Sequence, residues 1–146
     1  MGTPEENREL AREFGERAFN QHDIEYVKQA LADDFVEHEE APGIDTHDKA
    51  GALQWFETMF KAVPDMSCEI HHIIVSGDKV AIHGTYNGTD EGGMMPGVPA
   101  TGKSFQMGGI DIVRVNDQGK FTEHWGVSDA MGVMMQLGLI QPPPGS

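Results

Sequence analysis

Apolar positions change their spacing half-way along the chain. At the start, Thr3-Pro4-Glu5-Glu6 is a capping box with proline at the first helical position. Leu10, Ala11, Phe14 and Ala18 follow at helical spacing, one apolar stripe on a charged rod. Asn20-Gln21-His22 breaks the pattern, and Asp23 is placed to cap a short second helix carrying Ile24, Val27 and Leu31. Asp33 to His38 reads as a brief extended segment, and Ala41-Pro42-Gly43-Ile44-Asp45 is turn chemistry. A third helix is predicted from about Asp48, with Leu53, Phe56, Phe60 and Val63 on one face and Pro64 closing it. Beyond that point the apolar runs have strand length. Cys68–Val75 and Lys79–Tyr86 flank Gly77-Asp78, a pair suited to a two-residue hairpin loop, whose register sets Val75 against Val80 and His72 against His83. Residues 88–103 are glycine-rich and read as a long loop, a mobile lid or rim. Ser104–Val115 and Phe121–Val127 form a second hairpin, and a last short helix starts near Ser128 or Asp129 and stops at Gly138.

Helices followed by antiparallel strands predict an α+β domain with helices on one face of the sheet. Residues 1–140 read as a single domain and 141–146 as a loose tail. Composition narrows the function. The 146 residues carry 10 Lys+Arg against 24 Asp+Glu, a net charge of −14, which argues against nucleic-acid and anionic-membrane partners. One cysteine excludes an internal disulfide and cysteine-rich zinc modules. No secretory signal and no apolar run of membrane-spanning length is seen, so the expectation is a cytoplasmic protein. Apolar residues occur at both parities of the first hairpin: Ile70, Ile74 and Ala81 on one, Ile73, Val75, Val80 and Ile82 on the other. A second apolar face predicts a homodimer.

Several stretches resemble the SnoaL-like polyketide cyclases of the NTF2-like superfamily. They are Asp34-Phe35-Val36-Glu37-His38, Gly77-Asp78-Lys79-Val80, Gly88-Thr89 with Pro99-Ala100-Thr101-Gly102, Gly109 to Arg114, Gly119-Lys120, Glu123-His124-Trp125, Asp129, and Gln136-Leu137-Gly138. The resemblance implies a cone: N-terminal helices packed on a curved antiparallel sheet around one deep apolar pocket. It implies intramolecular aldol ring closure on polyketide esters without cofactor, with an aspartate as acid/base that falls by motif position on Asp129. Many relatives have His where this chain has Asp90 and Asp111, so acid stands here in place of imidazole.

The candidate catalytic residues are Asp129, Asp111 and His38. Counting by twos back from Asp129 gives Val127, Trp125, Glu123 and Phe121, a mostly apolar face that would desolvate the carboxyl and raise its pKa. The competing reading of Asp129 is a plain helix cap. Asp111 stands mid-strand, either solvated or turned inward to share a pocket with Asp129. His38 is either a surface histidine among Glu37, Glu39 and Glu40 or a group that orients a carbonyl. Trp125, His83, Phe35, Phe56, Met59, Tyr86 and Met107 are the candidate substrate-binding residues. No compact ligand motif is present, so no metal site is expected; the His72–His83 pair reads as a cross-strand polar contact, the alternative being half of a metal site whose other ligands would come from acids elsewhere.

The leading expectation is a cofactor-free cyclase acting on a small, apolar, carbonyl-rich molecule. Two others stand beside it: a ketosteroid-isomerase-like double-bond isomerase, and a non-catalytic ligand-binding or dimerisation module. Tyr26 or Tyr86 within reach of Asp111 or Asp129 would favour the isomerase.

Overall fold

The computed structural model describes residues 2–145. The capping box forms as read: the Thr3 side chain accepts from the Glu6 amide, and the Glu6 carboxylate accepts from the Thr3 amide. It starts helix α1, Pro4–Phe14, which continues as a π-helical turn over Gly15–Asn20 and ends where His22 takes a positive φ of 54°. Asp23 caps α2, Ile24–Ala30, through the Tyr26 amide. Leu31, read as helical, instead opens strand β1, Leu31–Glu37. Asp48 caps α3, Lys49–Ala62. Strands β2 (Ser67–Ser76), β3 (Lys79–Thr89), β4 (Ser104–Val115) and β5 (Phe121–Ser128) follow, then α4, Ala130–Gln136.

The five strands lie in the order β1-β5-β4-β3-β2. Four of them are antiparallel neighbours, but β1 pairs parallel with β5, so the sheet is mixed rather than antiparallel throughout. The chain leaves β1 through α3 and starts β2 at the opposite edge, and three antiparallel steps then bring β5 back beside β1. The first hairpin has the predicted register, with Val75 opposite Val80 and His72 opposite His83.

Helices cover one face of the sheet. Beneath them Phe14, Phe19, Tyr26, Phe56 and Phe121 form a network of edge-on and tilted rings 5.2–6.1 Å apart. Such geometry adds to the burial of the rings themselves. A second core cluster, Ala62, Val63, Met66, Phe105, Val133 and Leu137, joins α3 and α4 at the other end. Two one-residue bulges decide which side chains reach this interior. In β2 the register shifts between Ile70 and His72, and in β5 it shifts opposite Arg114/Val115. The first bulge turns Ile70 inward, toward Gly15 of the π-helical turn, while Ile74 and Ala81 stay on the uncovered face.

The glycine-rich segment is pinned, not loose. Asp90, only 2% exposed, exchanges backbone hydrogen bonds with Lys103 and Gly102. Its carboxylate accepts from the amides of Gly93, Met94 and Thr101 and from the Thr101 hydroxyl. The amides of Glu91 and Gly92 donate to Ala62 at the end of α3. Gln141–Gly145 of the expected tail are exposed; Ser146, like Met1, lies outside the described residues. No helix among the described residues is long and apolar enough to cross a membrane.

Asp90→Ala leaves several part-buried donors without an acceptor. Hydrogen bonds to a charged group contribute about 1.5–3 kcal/mol each, and local relaxation recovers part of the loss, so about 2–4 kcal/mol of stability should go. Urea unfolding measures this, and amide exchange at Met94 and Thr101 should accelerate with it.

Candidate functional site

The interior polar cluster is built on four strands. Asp111 of β4, His124 of β5, Glu37 at the end of β1 and Tyr86 of β3 all face the helices. The Tyr86 hydroxyl donates to Asp111 Oδ2 at 2.5 Å. His124 bridges two carboxylates, with Nε2 2.7 Å from Asp111 Oδ1 and Nδ1 2.6 Å from Glu37 Oε1. Glu39, just past β1, brings Oε2 to 3.9 Å from His124 Nε2. Gly126 makes room for these carboxylates: a Cβ there would lie 2.3 Å from Glu39 Oε2 and 2.9 Å from Asp111 Oδ1.

Charge sets the protonation pattern. Burial alone would depress His124, but the hydrogen bonds and charges of Asp111 and Glu37 outweigh it and push its pKa up to about 10. At neutral pH it is therefore an imidazolium that donates from both nitrogens. Burial, then the adjacent Asp111 charge, raises Tyr86 well above its ordinary value, so it remains a phenol. Desolvation also raises the Glu39 carboxyl; His124 opposes this, and Asp111 and Glu37 reinforce it. The side chains of His124 and Asp111 remain 18% and 20% exposed, which leaves the cluster reachable.

Ligand atoms of Glu37, Glu39 and His124 lie within 4.8 Å of one another, a grouping that could hold a divalent cation only after His124 lost its proton. Two open clefts lie elsewhere. One of about 400 Å³ is lined by Asp65, Asn87, Thr89, Gln106 and Gln136, and one of about 500 Å³ by Asp34, Asp78, Arg114 and Glu123.

Of the residues singled out from sequence, the structure brings Asp111 and Tyr86 together. Asp129 lies apart: it is exposed and caps α4, its Oδ1 accepting from the Gly132 amide at 2.9 Å. The premise of a desolvated face shared with Trp125 fails because the β5 bulge reverses the parity. Phe121 enters the core beside Val115, then His124 takes the inward place beside Val113 and Trp125 turns outward beside Ile112. Outside, His38 stacks on Trp125 at 4.8 Å and meets Glu123 at 2.8 Å, and His83 pairs with His72. Phe35 and Phe56 are buried core, and Met59 and Met107 pack against the second cluster. Sequence reasoning passed over His124, Glu37 and Glu39 as site residues, although Glu123-His124-Trp125 and the acidic run at 37–40 marked both places.

A helix-covered, five-stranded mixed sheet with titratable groups on its inner face defines an α+β protein of the NTF2-like class. The family model of the SnoaL-like polyketide cyclases matches residues 9–137, and the chain belongs to that family. Among solved structures, it is similar to TsrD from Streptomyces laurentii, with 26% identity over 96% of this chain and all of that one, and a TM-score of 0.83. IdmH from Streptomyces antibioticus, which carries a provisional polyketide-cyclase assignment, is 32% identical over 90% of this chain and 98% of its own, with a TM-score of 0.75. AclR from Streptomyces galilaeus, provisionally a hydroxylase, is 26% identical over 98% of this chain and 87% of its own, with a TM-score of 0.83. No protein with curated annotation matches the chain.

The raised pKa of His124 fixes the sign of a pH effect. A histidine titrating near 6.5 unfolded and about 10 folded stabilises the fold fully below pH 6.5. That contribution is lost as pH rises through 10. Thermal melting of wild type and His124→Gln should therefore converge between pH 6.5 and 10. A difference constant across that window would contradict the imidazolium.

Proposed function

We propose that the protein closes a ring on a polyketide-type intermediate by general acid/base chemistry. The observation that carries this is Asp111, an inward carboxylate gripped between the Tyr86 hydroxyl and the His124 imidazolium in a family of polyketide cyclases. In this reading Asp111 removes the acidic proton between two carbonyls of the substrate. The resulting enolate carbon attacks a second carbonyl of the same chain, forming the carbon–carbon bond. The new alkoxide then takes that proton back from Asp111, which regenerates the carboxylate. The Tyr86 hydroxyl and the His124 N–H groups hold Asp111 and Glu37, and the imidazolium charge favours the transient negative oxygen developing near it. The sequence of steps moves protons and one carbon–carbon bond, so it needs no electron carrier. Folding a flexible chain into one reactive shape supplies much of the rate, since orientation can contribute up to about 7–11 kcal/mol.

The Tyr86–Asp111 contact also favours a second reading. A phenol beside a carboxylate on an apolar sheet face is the equipment of a ketosteroid-type double-bond isomerase. There the enolate would be reprotonated on carbon instead of attacking a carbonyl.

A pair of isosteric variants separates these residues' roles. Assayed on a poly-β-carbonyl ester, Asp111→Asn should lower kcat by roughly 10²–10⁴-fold with little change in KM. Asp129→Asn should leave turnover unchanged, because Asn caps a helix nearly as well as Asp. Turnover lost in the Asp129 variant and kept in the Asp111 variant would reverse the assignment. A shifted double bond without ring closure would select the isomerase.

The same reading makes the protein a homodimer through the uncovered sheet face. Val127, Ile74 and Ile110 are 78%, 66% and 54% exposed there, and Ile112 lies between them. An apolar patch on an open sheet face is what a partner copy would cover, and it would cover the neighbouring His72–His83 pair with it. Sedimentation at micromolar concentration should give twice the chain mass, and Val127→Lys should return it to the mass of one chain.

A further inference from the structure

The uncovered face carries a second histidine group that the acid/base chemistry does not use. Its cause is the β2 bulge. In a regular strand His71 and His72 would face opposite ways, but the extra residue turns both outward, opposite His83 of β3. All three are exposed. The Nδ1 atoms of His72 and His83 lie 3.0 Å apart, with ring planes 9° from parallel. The His71 ring lies 5.2 Å from that of His83, its Nε2 held by the Thr85 hydroxyl at 2.8 Å.

We infer that His72 and His83 form a two-imidazole chelating site for a borderline transition-metal ion. Two imidazole nitrogens on one such ion, each about 2.0–2.1 Å from it, stand roughly 3.0–3.4 Å apart. The two Nδ1 atoms already have that separation. In the metal-free pair one Nδ1–H donates to the other Nδ1. Binding requires that donor to move its proton to Nε2, so two neutral imidazoles accept the ion with no net proton release. Imidazole ligands favour Cu²⁺ first, then Ni²⁺ and Zn²⁺, and because His83 stands in the row of Ile110 and Val127 the ion would sit in the face that the proposed dimer covers. Calcium and magnesium, which want oxygen ligands, are excluded. The ligands span β2 and β3, so the ion would clamp the edge strand to its neighbour.

The test uses untagged full-length protein dialysed against CuCl₂ or ZnCl₂ at neutral pH. One Cu²⁺ per chain should bind, with an electron paramagnetic resonance spectrum showing coupling to imidazole nitrogens, and Zn²⁺ should raise the melting temperature. His83→Ala should weaken binding about tenfold or more, a loss of at least about 1.4 kcal/mol. His71→Ala and Glu37→Gln should both leave it unchanged. Binding that survives the His72→Ala/His83→Ala pair, or is lost in Glu37→Gln, would move the ion to the interior cluster and overturn the assignment. No binding at about 100 μM metal, a binding free energy weaker than about −5.5 kcal/mol, would overturn it as well.

Discussion

The interior of this protein depends on one imidazolium. Three carboxylates, Glu37, Glu39 and Asp111, converge under the helices, and ionised carboxylates so placed repel one another and lose water. His124 answers both problems at once, giving one N–H to β1 and the other to β4. It thereby couples the parallel edge strand to the antiparallel centre of the sheet, at the point where a bulge-free ladder would have placed a different side chain. Without the positive charge, the cluster would have to take up protons or open to water. The elevated pKa of His124 is the electrostatic expression of the same fact.

That arrangement also explains why Asp111 is a better acid/base candidate than Asp129. A proton-transferring carboxylate must be poised by neighbours yet open to substrate. Asp111 has a phenol on one oxygen, an imidazolium on the other, and a fifth of its side chain exposed. Asp129 is engaged by a helix amide and bathed in solvent, the wet environment that suits a cap.

Much of the architecture was legible because local signals agreed with one another. The capping box at Thr3, the Asp23 and Asp48 caps, and the stops at Pro64 and Gly138 each act within a few residues, and each appears in the structure. The first hairpin register could be read to the residue because Gly77, at φ 60°, fixes a tight turn. Half of the site was legible too, in Asp111 and Tyr86. The rest was hidden by long-range pairing. Glu37 meets His124 across 87 positions through a parallel ladder that no local pattern announces. Leu31, apolar and in step with the helix before it, is drawn into β1 by its pairing with Phe121.

The bulges are the deeper reason that parity arguments failed. A strand's period of two assigns every side chain to a face only while the ladder is unbroken. In β5 one extra residue at Thr122 lets Phe121 stay in the core while His124, not Trp125, faces inward beyond it. In β2 one extra residue at His71 does the opposite for its neighbours: Ile70 goes in, and His71 and His72 both go out. Two single-residue insertions therefore sort the imidazoles of this sheet. One is buried among carboxylates and held charged; the others are exposed beside each other, where neutral nitrogens can meet a cation. The sequence around each bulge carries ordinary strand residues, so the sorting arises from the pairing of whole strands, and the two chemistries on opposite faces of one sheet share that single mechanical origin.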